Sequence, residues 1–314
     1  MRCEARRAWR AWCLIWAVTA LGCSSFVERQ AASSTYRILL ASVEAAQRQP
    51  DLELARAAMP GGLLQLEAFA LAYPEHTGFR RLHADASCQY AIAFVFDDWE
   101  DARLGGRAPE AERIAARLRT LLPRCVEANL ALLPAAWRET RARGGEPYRA
   151  LLRTATREQV PSLLWIANAE AIQLALDPMR HVARLGTIMA TLQRSAELEP
   201  GFREASAELL LGSLEAGRSS VFGGSDGSAY FERARTRAGK GALMVEVMFA
   251  RGVAVARKDP ALFEATLRRV LAADVERWPE RRLANELARR KARRYLAARA
   301  TLIPTAPAAA PATP

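Results

Sequence analysis

The sequence predicts an all-α protein, an α-solenoid of degenerate helix pairs, and three observations carry that expectation. Apolar residues recur at three- and four-residue intervals almost throughout, and no stretch alternates with period two for long. Ala and Leu dominate while aromatic residues make up only 7% of the chain, so good helix formers are plentiful and strand formers scarce. Pro, Gly and Asp punctuate the apolar pattern at intervals suited to helices of about 10 to 20 residues joined by short turns.

In chain order, a first helix is predicted over Thr35 to Gln47. A second spans Asp51 to Met59, stopped by Pro60-Gly61-Gly62, and a third spans Leu63 to Tyr73, stopped by Pro74. Phe79, Leu82, Ala86, Tyr90 and Ala93 share one stripe, which predicts a long helix from Gly78 to about Ala102, broken by Gly105-Gly106. Ala111 to Leu122 and Val126 to Arg143 continue the pattern on either side of Pro123. Pro134 should kink or interrupt the latter, and Gly144-Gly145 opens a loop. Pro161 to Leu176 is strongly apolar and begins with proline in its first turn, where a missing N–H costs nothing. Met179 to Leu198, Phe202 to Ala216, Ser228 to Ala238, Leu243 to Arg257, Pro260 to Ala272 and Pro279 to Ala298 complete the set. Ser228 to Arg257 and Asp259 to Ala298 each read as one helix-turn-helix unit. A unit of roughly 30 to 40 residues fits a tetratricopeptide-like repeat, although no full consensus is present.

The ends read differently. Arg2, Arg6, Arg7 and Arg10 form a positive segment ahead of the apolar run Ala11 to Leu21. As a helix that run would be roughly 16 Å long at 1.5 Å per residue, against about 30 Å of hydrocarbon, so it suits a secretion signal rather than a membrane span. Ala20-Leu21-Gly22-Cys23 follows and resembles a bacterial lipobox, with Ala20 where Leu is usual. On this reading residues 1–22 are a lipoprotein signal peptide and Cys23 carries lipid. Two or three acyl chains, each buried CH₂ contributing about 0.8 kcal/mol, anchor a protein stably. The other reading is an ordinary cleaved signal with a chance cysteine. Ser24 after the cysteine resembles lipoproteins sorted to the outer membrane, so a periplasmic, lipid-anchored location is expected. Residues 23–34 read as a polar tether, 35–302 as the helical-repeat domain, and 303–314 as a disordered Pro/Ala-rich tail.

The formal charge of +11 falls to about +8 once residues 1–22 are set aside. A basic balance can indicate nucleic acid, but an exported chain whose only lysines are Lys240, Lys258 and Lys291 points to arginine-rich codon usage instead, and no nucleic-acid partner is expected. Cys88 and Cys125 remain after the signal and the anchor are assigned. They could pair in an oxidising compartment or stand as two separate buried thiols on neighbouring helices.

No residue pattern supports catalysis. The histidines, His76, His83 and His181, have no partner at metal-ligand spacing and read as surface or cap residues, so neither metal nor cofactor is expected. Gly223-Gly224-Ser225-Asp226-Gly227-Ser228 lacks the lysine of a phosphate-binding loop and reads as an inter-helix turn in which Asp226 or Ser228 caps the next helix. The acidic run Asp97-Asp98-Trp99-Glu100-Asp101 reads as a solvated helix end. The basic residues between Arg277 and Arg294 read as the solvent face of an amphipathic terminal helix, with partner docking as the other reading.

Several segments together resemble one family: Val160 to Ala167 (VPSLLWIA), Leu198 to Phe202 (LEPGF), Val221 to Gly224 (VFGG) with Ala229 to Ala234, Lys258-Asp259-Pro260, Val270 to Asp274, and Arg282 to Ala288. Their order is similar to that of the TatT family, the T components of tetratricopeptide-protein-associated TRAP transporters. The likeness is strongest from Val160 onward; before that it rests on helix layout. The resemblance implies a periplasmic helical-repeat lipoprotein that forms a homotrimer and is not an enzyme. It implies docking to the solute-binding P component, with a channel through each subunit for hydrophobic or organic-acid ligands. Tyr90, Phe94 and Trp165 are the candidates to line that channel, core packing being the other reading of them. The alternative function is a helical-repeat scaffold for outer-membrane or envelope assembly.

Overall fold

A computed structural model describes residues 30–304. The signal peptide, Cys23 and the tail beyond Pro304 lie outside the described residues. The chain divides into two units, residues 1–46 and 47–314. In the first, residues 30–47 are helical (α1), so helix occupies the last five positions of the expected tether, and Ile38 and Leu40 face solvent.

Among the described residues all regular structure is helical and there is no strand. The second unit begins with α2 (Leu52–Ala72), whose first free amides, Glu53 N–H and Leu54 N–H, are capped by the Asp51 carboxylate. Here the sequence expectation fails: α2 runs straight through Pro60-Gly61-Gly62 rather than ending there. A proline inside a helix costs about 3 kcal/mol, mainly through one lost backbone hydrogen bond and a ring clash. Tertiary packing offsets that cost, because Ala55 before the proline and Leu66 after it are both buried and α2 packs along the next helix. That helix, α3 (Thr77–Gln89), is capped by His76 Nδ1 accepting from Phe79 N–H at 3.2 Å. It continues through a π-helical turn, Tyr90–Val95, into α4 (Phe96–Leu104).

The same tertiary override carries α5 (Ala108–Leu130) through Pro123, with Leu118, Leu122, Cys125 and Val126 buried on either side. Pro134 does interrupt the chain, and α6 (Ala135–Arg143) starts after it. Gly144 and Gly145 form a two-residue corner rather than a loop, since α7 (Gly145–Arg153) follows at once. A strongly apolar helix, α8 (Val160–Leu176), comes next. The predicted Met179-to-Leu198 helix is in fact a short turn, α9 (Pro178–His181), a 3₁₀ turn, and then α10 (Leu185–Leu198). It is followed by α11 (Phe202–Phe222), α12 (Ser228–Ala238) and α13 (Leu243–Phe249), which continues through a second π turn, Ala250–Ala254. The unit ends with α14 (Pro260–Ala272), α15 (Arg282–Ala297) and the turn α16 (Arg299–Leu302).

Packing follows chain order, skipping some of the short helices: α2 packs on α3, α3 on α5, α5 on α8, α8 on α10, α10 on α11 and α11 on α12, while α13 and α14 both pack on α15. Close approach needs small residues at one point in particular. A Cβ on Gly227 would lie 2.4 Å from the Gly212 carbonyl oxygen, and Gly227 has φ +76°, so α12 can start against α11 only with glycine there. Phe231, fully buried, then fills the space over Gly212.

Candidate functional site

Buried carboxylates clamped by arginines dominate the seams between helices. Glu170 of α8 is held by Arg141 of α6 and by Arg184 at 2.6 Å. Glu208 of α11 is held by Arg233, at 3.0 Å, and Arg237 of α12. The largest cluster corrects two sequence expectations at once. The acidic run in α4 and the basic run in α15 do not both simply face solvent: Asp97 and Glu100 of the one meet Lys291 and Arg294 of the other, while Arg293 stays exposed and Asp101 partly so. Asp97, fully buried, pairs with Lys291 Nζ at 2.9 Å and Arg294 Nη2 at 2.5 Å, and Glu100 pairs with Lys291 at 2.7 Å and accepts from Tyr295 Oη at 2.7 Å. Burial alone would push both carboxyl groups upward, but Lys291, with Arg294, holds each below its usual range. Sequence reasoning missed this because each run, taken alone, has the composition of a solvated surface, and only the fold brings them together.

A third clamp differs from these because it opens onto a recess. Asp85 of α3 accepts Trp165 Nε1–H at 2.8 Å and Arg203 Nη2–H at 3.3 Å, and Arg81 lies 3.7 Å away. Arg81 donates also to Ser162 Oγ at 2.8 Å and to Asn129 Oδ1 at 3.3 Å. The Arg203 guanidinium stacks over the Trp165 ring at 4.6 Å and lies 5.7 Å from the Phe202 ring centroid. Burial, with the two guanidinium groups near each other, lowers the Arg81 pKa; burial also lowers that of Arg203, against the pull of Asp85.

The backbone beneath this cluster is strained. Arg203, Glu204 and Ala205 have φ of 45°, 58° and 58°, a left-handed turn built from residues that all carry a Cβ, at a cost of roughly 1–2 kcal/mol each. The turn aims Arg203 back towards α3 and α8. On its outer side Arg203 joins Arg157, Leu198, Glu199, Pro200 and Phe202 around a recess of about 490 Å³. Arg157 and Glu199 pair across it at 2.8 Å.

The structure places the three aromatic candidates in one hydrophobic core but gives them different partners. Trp165 belongs to the Asp85–Arg203 cluster. Tyr90 Oη accepts from Arg117, whose guanidinium also lies 5.4 Å from the tyrosine ring. Phe94 lies under Arg56, at 5.4 Å. Tyr90 and Phe94 both belong to the π-helical turn, a distortion with no signature in the sequence. Cys88 and Cys125 are buried with their sulfurs 2.05 Å apart and Cα atoms 4.9 Å apart, and Asn129 Nδ2 donates to Cys88 Sγ at 3.1 Å. In the glycine-rich turn Asp226 accepts from Ser228 N–H at 3.0 Å and pairs with Arg257 at 2.6 Å. Among the described residues no three His, Cys, Asp or Glu side chains gather as metal ligands, and no helix is long and apolar enough to cross a membrane.

These features define, among the described residues, an all-helical protein in which many charged residues clamp helix to helix, with an arginine-bearing recess beside Arg203. A family model described as "TRAP transporter T-component" matches residues 48–302. The chain belongs to that family, a transporter component rather than an enzyme family, and is thereby associated with a TRAP transport system. No curated protein matches the chain.

Proposed function

We propose that this protein is a lipid-anchored periplasmic accessory of a TRAP-type transporter, one that docks the solute-binding P component and helps pass it a small hydrophobic or organic-acid ligand. The family match over residues 48–302 supports the transporter association, and the cation-bearing recess beside Arg203 supports the ligand role. The same reading makes the helices a solenoid of tetratricopeptide-like pairs, makes the protein a homotrimer, and pairs Cys88 with Cys125 in an oxidising periplasm. It places Trp165, with Tyr90 and Phe94 deeper in the same core, along the ligand's path. Residues 1–22 are then the signal peptide and Cys23 the acylated residue, holding the helical domain at the outer membrane.

The direct test is co-purification with a candidate TRAP solute-binding P component. A stable complex on size exclusion is expected. Failure to form one at micromolar concentration, with the oligomer intact, would overturn the reading. Anchoring is tested separately: Cys23→Ser should move the protein from the membrane to the soluble fraction, and a variant that stays with the membrane removes the lipid anchor from the proposal.

A further inference from the structure

We propose that the recess at the α10–α11 corner is a carboxylate-binding site, with Arg203 as the group that grips the carboxylate and Asp85 as the internal anion it displaces. The charge count points to an anion. Arg157 and Glu199 cancel each other at 2.8 Å, and Arg281 is shared between Glu204 at 3.3 Å and the more exposed Glu280 at 3.7 Å, so the excess lies only in the immediate surroundings of Asp85. That leaves Arg81 and Arg203 facing one carboxylate, Asp85, at 3.7 and 3.3 Å. Arg81 completes its bonding with the neutral Ser162 hydroxyl and Asn129 amide, so its charge is solvated but not neutralised. The cluster therefore carries one positive charge in excess in partly desolvated surroundings, where a second carboxylate is favoured.

The geometry of Arg203 suits a carboxylate in particular. Its guanidinium carbon lies 4.6 Å from the Trp165 ring centroid, and a guanidinium can offer a carboxylate two parallel N–H···O bonds once Asp85 gives up its place. The same side chain lines the recess and touches Asp85, so a ligand entering the recess competes with Asp85 for one donor set. Leu198, Pro200 and Phe202 add apolar surface beside the charged Arg157, Glu199 and Arg203, which suits a carboxylate carried on an apolar body. The inference deepens the ligand-passing role proposed above by naming the site and the group it recognises, and it is independent of docking to the P component.

Isothermal titration of the purified protein with sodium octanoate, 1-octanol and inorganic phosphate tests it. Saturable octanoate binding is expected, with both others at least about tenfold weaker: octanol because it lacks the charge that Arg203 grips, phosphate because it lacks an apolar body. Arg203→Gln should weaken octanoate by about ten- to a hundredfold, and Arg203→Lys should recover part of the loss. Asp85→Asn keeps an acceptor for Trp165 Nε1 but removes the competing charge, so it should tighten octanoate several-fold. Opposite shifts at two touching residues cannot come from general misfolding. Equal binding of octanol, or of phosphate, overturns the carboxylate assignment; so does an Arg203→Gln protein with unchanged affinity, or an Asp85→Asn protein with weakened affinity. An Arg203→Gln variant that loses octanoate but still co-purifies with the P component separates this site from the docking proposal.

Discussion

Asp97 shows how much a single residue can carry. It is fully buried, its charge is opposed by Lys291 and Arg294, and both of those side chains are themselves about nine-tenths covered. Removing one partner of a buried ion cluster strands the other charges, at about 3–5 kcal/mol. Asp97→Ala should therefore lower unfolding stability by that amount in chemical denaturation, whereas Asp101→Ala, on a carboxylate that is 43% exposed, should change it by less than about 1 kcal/mol. Nothing in the local sequence separates these two aspartates, four residues apart in one acidic run. What separates them is which face of α4 meets α15. The same limit applies to Trp165: the sequence marks it as a large amphipathic side chain, but its partners Asp85 and Arg203 come from α3 and α11 and are invisible without the fold. Arg203 carried no signal at all beyond standing next to the Leu198-to-Phe202 turn.

Most helices were legible as elements, because the apolar period of a helix is a local property. Ser228–Ala238 and Pro260–Ala272 run between the predicted residues, and α8 differs by one. The errors concentrate at prolines and at interruptions that lack one. Pro60 and Pro123 were read as stops or boundaries, yet both lie inside helices, since packing on both sides outweighs the lost hydrogen bond. Conversely, the π turns at Tyr90–Val95 and Ala250–Ala254 leave the apolar pattern almost unchanged and so escaped notice. A prediction at this scale follows from α2. Since the helix already passes through position 60, Pro60→Ala should restore the amide that can donate to Arg56 C=O and raise stability by about 1–3 kcal/mol, seen as a higher Tm. If Pro60→Ala destabilises instead, the helix does not run through.

For the unit spanning residues 47–314, two features set the response to conditions. The Cys88–Cys125 link, 37 residues apart in sequence, ties α3 to α5. Closing a loop of that length stabilises by about 4 kcal/mol, so Cys88→Ser with Cys125→Ser, or a reductant, should lower the denaturation midpoint accordingly. Intact-mass measurement after alkylation checks the pairing itself. The second feature is pH. Asp97 and Glu100 have folded-state values below their ordinary ones, so the unfolded chain binds protons more readily than the folded one as pH falls. Their contribution is complete above the unfolded values of about 4 and is lost as pH drops through the lower, folded values. Acid unfolding should thus be steeper in the native protein than in an Asp97→Asn, Glu100→Gln variant. An unchanged slope would mean that the α4–α15 cluster does not couple to protonation.

That cluster also has a meaning in time. Asp97 and the cations that neutralise it are separated by nearly 200 positions, Arg294 reaching back to Asp97 across a separation of 197. A chain leaving the ribosome, or threading a membrane, delivers α4 long before α15. Throughout that interval Asp97 and Glu100 lack their counter-charges and cannot be buried at acceptable cost, whereas Asp98 and Asp101 already have Arg56 and Arg107. Burial of Asp97 and Glu100 therefore waits for residues 282–297, and a product cut short before them lacks the cations that this burial needs. Such a fragment should be a protease substrate along α4 in particular.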